Sequence, residues 1–227
     1  MFNLEIDNIK ASRTAADRVF SALQDAIVRG DIPPGSRVGE TELAERFGTS
    51  RGPLREALRR LESRRLVERT PHVGIRIASL CHEALIQIYY VREALEGMAA
   101  RLAAVHMSPE EIDGLRNLLA AHEQDEALKA DMAYFQQEGD LDFHYRVIQG
   151  SHNTALTELL IGELYHRIRM YRYQISASAK RPQKAFGEHQ RIVEAIEAHD
   201  GDLAEMLMRR HISSARQNIE QHQRDNL

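Results

Sequence analysis

The stretch TSRGPLREALRRLESRRL, residues 49–66, constrains the fold more than any other part of the chain. On a helix beginning at Arg51, residues Leu54, Ala57, Leu58 and Leu61 recur at i, i+3, i+4 and i+7, and that stripe must face the protein. Arg51, Arg55 and Arg59 then form a second row about 110° round, by the ~100° per residue of an α-helix, and this row faces outward. Ser50 is a good N-cap, and Pro53 is tolerated because the first turn needs no intrahelical N–H.

The flanks give the helix a setting. From Thr14 to Arg29, apolar Val19, Leu23, Ala26 and Ile27 keep helical spacing until Gly30 and the Asp-Ile-Pro-Pro-Gly run. A short helix is expected over Glu40–Phe47, with Gly48 as its left-handed C-terminal residue. After Leu66 the period shortens: Val67 and Arg69, then Val73, Ile75 and Ile77, alternate around Pro71 to Gly74, which predicts a two-stranded hairpin. Helix, helix-turn-helix and hairpin in that order make a winged helix-turn-helix. Its third helix fits the ~12 Å major groove, and its hairpin reaches toward the neighbouring minor groove. Arg51 and Arg55 stand at the helix N-terminus, where base edges and phosphates are reached. His72 and Arg76 are expected on the wing, and Arg37 near phosphate.

Charge supports the division. Residues 11–79 hold 13 arginines, no lysine and nine acids, whereas residues 80–227 are net −7. Arginine's planar fork binds phosphate and guanine bidentately, so an arginine-only basic segment beside an acidic one suits a polyanion-facing module joined to something else. No run approaches the ~20 apolar residues of a membrane span, and MFNLEIDNIK lacks a signal peptide's basic and apolar regions, so a cytoplasmic protein is expected. Cys81 is the only cysteine, which excludes an internal disulfide and a Cys-based zinc finger; a small packed hydrophobe is its default reading.

The segment LAERFGTSRGPLREALRRLESRRLVERTPHVGIRI resembles the winged helix-turn-helix of GntR-type transcription regulators. The resemblance rests on Ser50, Arg51, Pro53, Arg55, Glu56, Ala57 and Leu58, then Leu66, Val67 and Gly74, and spans about residues 14–78. It implies that Arg51 and Arg55 read the operator, with Ser50, the wing residues His72 and Gly74, and Arg37 at the DNA. Two positions depart from the family pattern. Arg65 stands where glycine is common, so a differently shaped helix end is expected; Thr41 occupies the place of a second-helix arginine that touches DNA in some members.

From about Leu80 onward the pattern is helical throughout, with breaks at Ser108–Pro109, Gly139, Gly150–Asn153, Pro182 and Asp200–Gly201; six or seven helices are expected. The fold class is therefore mainly α: a winged helix-turn-helix over residues 1–79 and an all-helical bundle over 80–227. Of eleven histidines, His82, His106, His122, His152, His166, His199 and His222 read as surface residues. Asp140 and His144 are i, i+4 on one helix and point the same way. His189 and His211 are each eleven residues from Asp200, so an antiparallel helix pair turning there sets them side by side. Three imidazoles and one carboxylate suit a divalent ion, zinc first, with nickel, manganese or iron as alternatives, and leave one or two positions open for water or ligand.

Residues 80–220 are similar to the helical effector domain, called FCD, of the FadR subgroup of GntR regulators. The matching pieces are VREALEGMAARLAA, DLDFHYRVIQGSHN, EHQRIVEAIEAHDGD and MRRHI. The resemblance implies Asp140, His144, His189 and His211 as metal ligands. A metal with an open position beside arginine attracts a small carboxylate; Arg92 is the first-choice partner, its alternative being a surface salt bridge with Glu96. Asn153 either lines the pocket or caps the following helix. The expected function is a ligand-responsive regulator, a repressor for catabolism of a small organic or sugar acid. It would be a homodimer on a palindromic operator of double-stranded DNA. One alternative makes the metal itself the signal. A metal-dependent hydrolase is disfavoured because no general base accompanies the ligands and only Glu163–His166 fits Glu-x-x-His.

Overall fold

The computed structural model describes residues 14–70, 74–79, 81–130, 142–175 and 181–225. They fall into two compact units, one of residues up to 79 together with 166–174, the other of residues 80–165 and 175 onward.

In the first unit, α1 (Ala15–Arg29) opens with a reciprocal cap: the Thr14 hydroxyl accepts from the Asp17 N–H, and Asp17 accepts from the Thr14 N–H. It closes at Gly30, whose φ of 83° costs glycine little. Next come β1 (Arg37–Val38), α2 (Glu40–Arg46), α3 (Arg51–Ser63), β2 (Val67–Thr70) and β3 (Gly74–Ile77). The hairpin is joined by a third strand, in the order β1-β3-β2, with Arg37 opposite Arg76 and Val38 opposite Ile75. Two residues are too few to display an alternating pattern, which is why the sequence predicts only two strands.

Leu54, Leu58 and Leu61 of α3 pack into one core with Phe20, Leu23, Ile27, Leu43, Leu66, Ile75 and Ile77. Each such side chain contributes ~1.5–3 kcal/mol when fully removed from water, so the inward stripe fixes the outward one. The end of α3 keeps the shape a glycine would give. Arg65 N–H donates to Glu62 O and Leu66 N–H to Leu61 O, while Arg65 itself sits at φ 54°, the left-handed residue of a Schellman motif. The expected departure at Arg65 is thus one of residue type and not of geometry.

The second unit is built on α4 (His82–His106), α5 (Pro109–Glu123), α6 (Glu126–Lys129), α7 (Phe143–Gly150), α8 (Thr154–Thr157), α10 (Pro182–Glu197) and α11 (Gly201–Asp225). From α8 the chain passes through a π-helical stretch, Glu158–Leu164, into α9 (Tyr165–Ile175). Residues 166–174 of α9 pack with the first unit, whose core includes Met170. The breaks fall where expected: a Ser108–Glu111 capping box, Asn153, Pro182, and a turn through His199 and Asp200. The break expected at Gly139 lies outside the described residues. The long helices α4 and α11 run antiparallel, with Arg101 beside Asp202 and Glu205 and Tyr90 beside Arg216. They approach closely at Gly97, where a Cβ would meet Arg209 Cγ at 2.6 Å. Among the described residues no helix is long and apolar enough to cross a membrane.

Two sequence expectations are corrected. Cys81 is exposed, because it occupies the N-cap position before α4 and no apolar face receives it. His166, read as a surface residue, is buried on the inward side of α9. There Arg64 Nη1 lies 2.9 Å from its Nε2, and a guanidinium can only donate, so this nitrogen is the acceptor.

Candidate DNA-contacting face and metal centre

The outward row of α3 is where its periodicity puts it: Arg51, Arg55 and Arg59 are all exposed. The tight turn before them depends on Gly48 at φ 58° and on Thr49 N–H donating to Ala44 O. Ser50 holds the N-cap position and is exposed, with no side-chain bond to the helix backbone, so its hydroxyl is available to an outside group. Thr41 is exposed on α2. Arg37 and Gly74 line one shallow hollow with Glu40 and Arg69, and Gly74 takes φ 100° where the hairpin turns back. His72 lies outside the described residues.

Sequence reasoning passed over Glu40. Its carboxylate accepts from Arg55 Nε at 2.9 Å and lies 3.4 Å from Arg69 Nη1, tying the recognition helix to the wing. The Arg55 hydrogen bond, outweighing partial desolvation, holds its carboxyl below the ordinary range. Its place at the start of α2 was legible, but its partners are 15 and 29 residues away, beyond any local pattern.

The second unit gathers three of the four expected metal ligands. His144 on α7, His189 on α10 and His211 on α11 each offer a ring nitrogen, and these nitrogens lie within 4.8 Å of one another. All three side chains are buried. His189 and His211 do face each other across the α10–α11 turn, Nε2 to Nε2 at 3.2 Å. Phe143 stacks on His189 with ring centroids 4.0 Å apart and limits its rotation. Asp140 lies outside the described residues.

Two acids that the sequence did not single out as part of this centre organise it. Glu96 of α4 meets His144 Nδ1 at 2.7 Å, and Glu188 of α10 meets His211 Nδ1 at 2.7 Å. Each acid has an arginine behind it: Arg92 Nε donates to Glu96 at 2.6 Å, and Arg181 Nη2 donates to Glu188 at 2.7 Å. Burial alone would raise the Glu96 carboxyl, but Arg92 and His144 more than offset it and leave it below the ordinary range. Glu188 follows the same balance against His211 and Arg181. Ionised carboxylates only accept, so the facing Nδ1 atoms carry protons and the Nε2 atoms present lone pairs. Burial, only partly countered by Glu188, lowers His211 to about 4, so the ring is neutral at pH 7. Three buried imidazoles converging in a dry site, two of them held by carboxylates at the far nitrogen, are a donor set that fits a divalent ion.

Arg92 itself is 1% exposed and lies over the Tyr89 ring, with its bond to Glu96 inside the protein and not on the helix surface. Asn153 accepts from the Leu156 N–H and caps α8. Of the remaining histidines, His152 is exposed against Glu111, and His199 contacts Ala104 O.

Comparison with known proteins agrees with this division. Residues 15–77 match the family of bacterial regulatory proteins called gntR, and residues 87–214 match the FCD domain. A probable D-xylose utilization operon transcriptional repressor of Paenarthrobacter nicotinovorans is 32% identical over 206 residues, covering 88% of this chain and 87% of that protein. The galactonate operon transcriptional repressor of Escherichia coli K12 is 28% identical over 230 residues, covering 90% and 96%. Among solved structures, E. coli McbR/YncC superimposes with a TM-score of 0.71 at 20% identity, covering 92% of this chain and 99% of that one, which is a likeness of fold.

Proposed function

Because the chain belongs to the GntR family of bacterial regulators and carries its FCD domain, we propose that it represses an operon for uptake or breakdown of a sugar or sugar acid and releases DNA when such a compound binds. The protein is a DNA-binding, ligand-responsive transcriptional regulator and not an enzyme. The relatives' operons, for D-xylose and galactonate, support the choice of effector class. A reading in which the metal itself is the signal draws no support from them.

Residues 1–79 would carry DNA binding and residues 80–227 the effector, metal and dimer contacts, in the cytoplasm. Arg51 and Arg55 would enter the major groove, with Arg37, Thr41, Ser50, His72 and Gly74 at backbone or wing contacts. His144, His189 and His211 would hold a divalent ion, zinc first, together with Asp140. When bound, such an ion supplies a Lewis-acid partner for a carboxylate effector. The histidines would position it, their acids would fix the rings, and the buried surroundings would exclude competing water. Asn153, as the α8 cap, would shape the pocket wall near His144's helix.

A homodimer on a palindromic operator completes the reading. Exposed Tyr90, Val91, Met98 and Val105 on α4 and Leu203 and Met206 on α11 support it, since a monomer gains nothing from wetting them. Coupling between effector and DNA is expected at about 1–3 kcal/mol, a 5- to 150-fold change in operator affinity.

The observation that carries the effector reading is the convergence of three buried imidazoles. It is tested by fluorescence anisotropy on the DNA upstream of the protein's own reading frame, with zinc-loaded and chelator-treated protein, titrated with D-galactonate, D-xylose and malonate. Release by D-galactonate or D-xylose from the zinc-loaded form alone supports the reading, and release by malonate alone would move the effector class to dicarboxylates. Release by zinc without any acid would replace it with metal sensing.

A further inference from the structure

We propose that Arg92–Glu96–His144 and Arg181–Glu188–His211 are two matched relays that decide which nitrogen each histidine offers to the centre, so that both arginines are positioning residues. The proposal rests on the metal reading above and adds residues to it. It also replaces effector contact by Arg92 with action through Glu96.

The argument is one of donors and acceptors. A guanidinium has five N–H groups and no lone pair, and an ionised carboxylate has lone pairs and no proton. Arg92 Nε therefore claims one oxygen of Glu96, at 2.6 Å, and leaves the other, Oε2, for His144 Nδ1 at 2.7 Å. That oxygen can only accept, which puts the ring proton on Nδ1 and the lone pair on Nε2. The second relay keeps the order of residue types with a different sharing of oxygens: Arg181 Nη2 donates to both oxygens of Glu188, and Oε2 also accepts from His211 Nδ1 at 2.7 Å. Two copies on different helices, with the same order of residue types and the same ring nitrogen, give both histidines one tautomer with Nε2 free for the ion. The relays differ in depth. The three side chains of the first are 2%, 3% and 4% exposed, those of the second 12%, 15% and 6%, so the first is the fixed arm and the second the one open to adjustment.

Replacing either acid by its amide tests the idea with little change of shape. In Glu96→Gln the arginine takes the amide oxygen, the amide NH2 turns to the imidazole, and Nδ1 must become an acceptor. The ring proton then moves to Nε2, the face meant for the ion. Glu188→Gln predicts the same change at His211. Full-length protein freed of metal by chelator and labelled with 15N at histidine should show Nδ1–H tautomers at His144 and His211, each switching to Nε2–H in its own variant. Zinc affinity, measured by competition with a chromophoric chelator, should fall about 10- to 100-fold in each. Arg181→Met, less buried than Arg92 and so safer for folding, should weaken zinc while leaving His144 unchanged. Folded variants with wild-type tautomers and wild-type zinc affinity would overturn the relays. Zinc retained at one per chain in His144→Ala/His211→Ala would overturn the metal reading instead, while the tautomers of the metal-free protein still judge the relays by themselves.

Discussion

Two Arg–Glu pairs with similar geometry do opposite jobs in this molecule. Arg55 and Glu40 on the face proposed to contact DNA are 56% and 24% exposed at 2.9 Å, whereas Arg92 and Glu96 in the helical unit are 2% and 3% exposed at 2.6 Å. In water the first pair gains little, because solvent screens it and two long side chains must be held still. On the proposed reading, a DNA phosphate or guanine edge would displace Glu40 with little loss. The second pair has given up its hydration, so each partner depends on the other and neither is free to leave. Depth, more than distance, separates a contact built to be exchanged from one built to hold.

The sharpest way to break that comparison is to remove the acid from each pair. Glu96→Ala leaves a buried guanidinium uncompensated and should destabilise the protein by about 3–5 kcal/mol. Glu40→Ala should cost under ~1 kcal/mol. Chemical denaturation of metal-free protein measures both, and equal losses would erase the distinction. Removing the exchangeable arginine comes next. Arg55→Ala should lower operator affinity by about 1–3 kcal/mol, roughly 5- to 150-fold, with thermal stability close to wild type. Unchanged anisotropy titrations would remove Arg55 from the interface.

What the sequence revealed, and what it hid, follows the range of the interactions. Leu54, Leu58 and Leu61 declared the inward face of α3 because i, i+3 and i+4 neighbours share a side, and the outward arginines followed from them. The His189–His211 pair was legible because two helices meeting at Asp200 leave equidistant residues adjacent, and 3.2 Å is the outcome. Glu96 was visible only as a local partner of Arg92; its second bond, to His144 48 residues away, depends on how α4 meets α7. Glu188 and Arg181 were hidden for the same reason, and the third strand because two residues display no pattern. His166 was misread because Arg167 and Arg169 interrupt any apolar stripe at the start of α9, and only tertiary packing shows its burial.

His166 also shows that depth and not domain sets the rule, since it lies in the arginine-rich unit yet behaves like the buried centre. Burial, then Arg64 and Arg169, lower its pKa to about 3 from the ordinary 6.5. The unfolded chain therefore takes up a proton first as the solution is acidified. Stability is unaffected by this group above pH 6.5 and is lost as pH falls from 6.5 toward 3, by at most about 1.4 kcal/mol per pH unit. His166→Gln keeps an acceptor for Arg64 and removes the titration. Its melting temperature should fall less steeply between pH 7 and pH 5 than the wild type's. Parallel slopes would mean that His166 takes its proton in the folded state as readily as in the unfolded.

The smallest effect isolates backbone from charge. Arg65 is exposed, and its φ of 54° ends α3 in the left-handed region. An L residue there is strained by ~1–2 kcal/mol, while glycine would lose ~0.5–1 kcal/mol more chain entropy on folding. Arg65→Gly should therefore stabilise the first unit by ~0.5–1 kcal/mol, with the Schellman bonds to Glu62 and Leu61 retained. If Arg65 serves only this turn, operator affinity stays level as stability rises. A gain in stability coupled to a loss of affinity at low salt would show instead that this arginine is held in a strained conformation for the sake of a phosphate, and the exchangeable surface would then extend to the far end of α3.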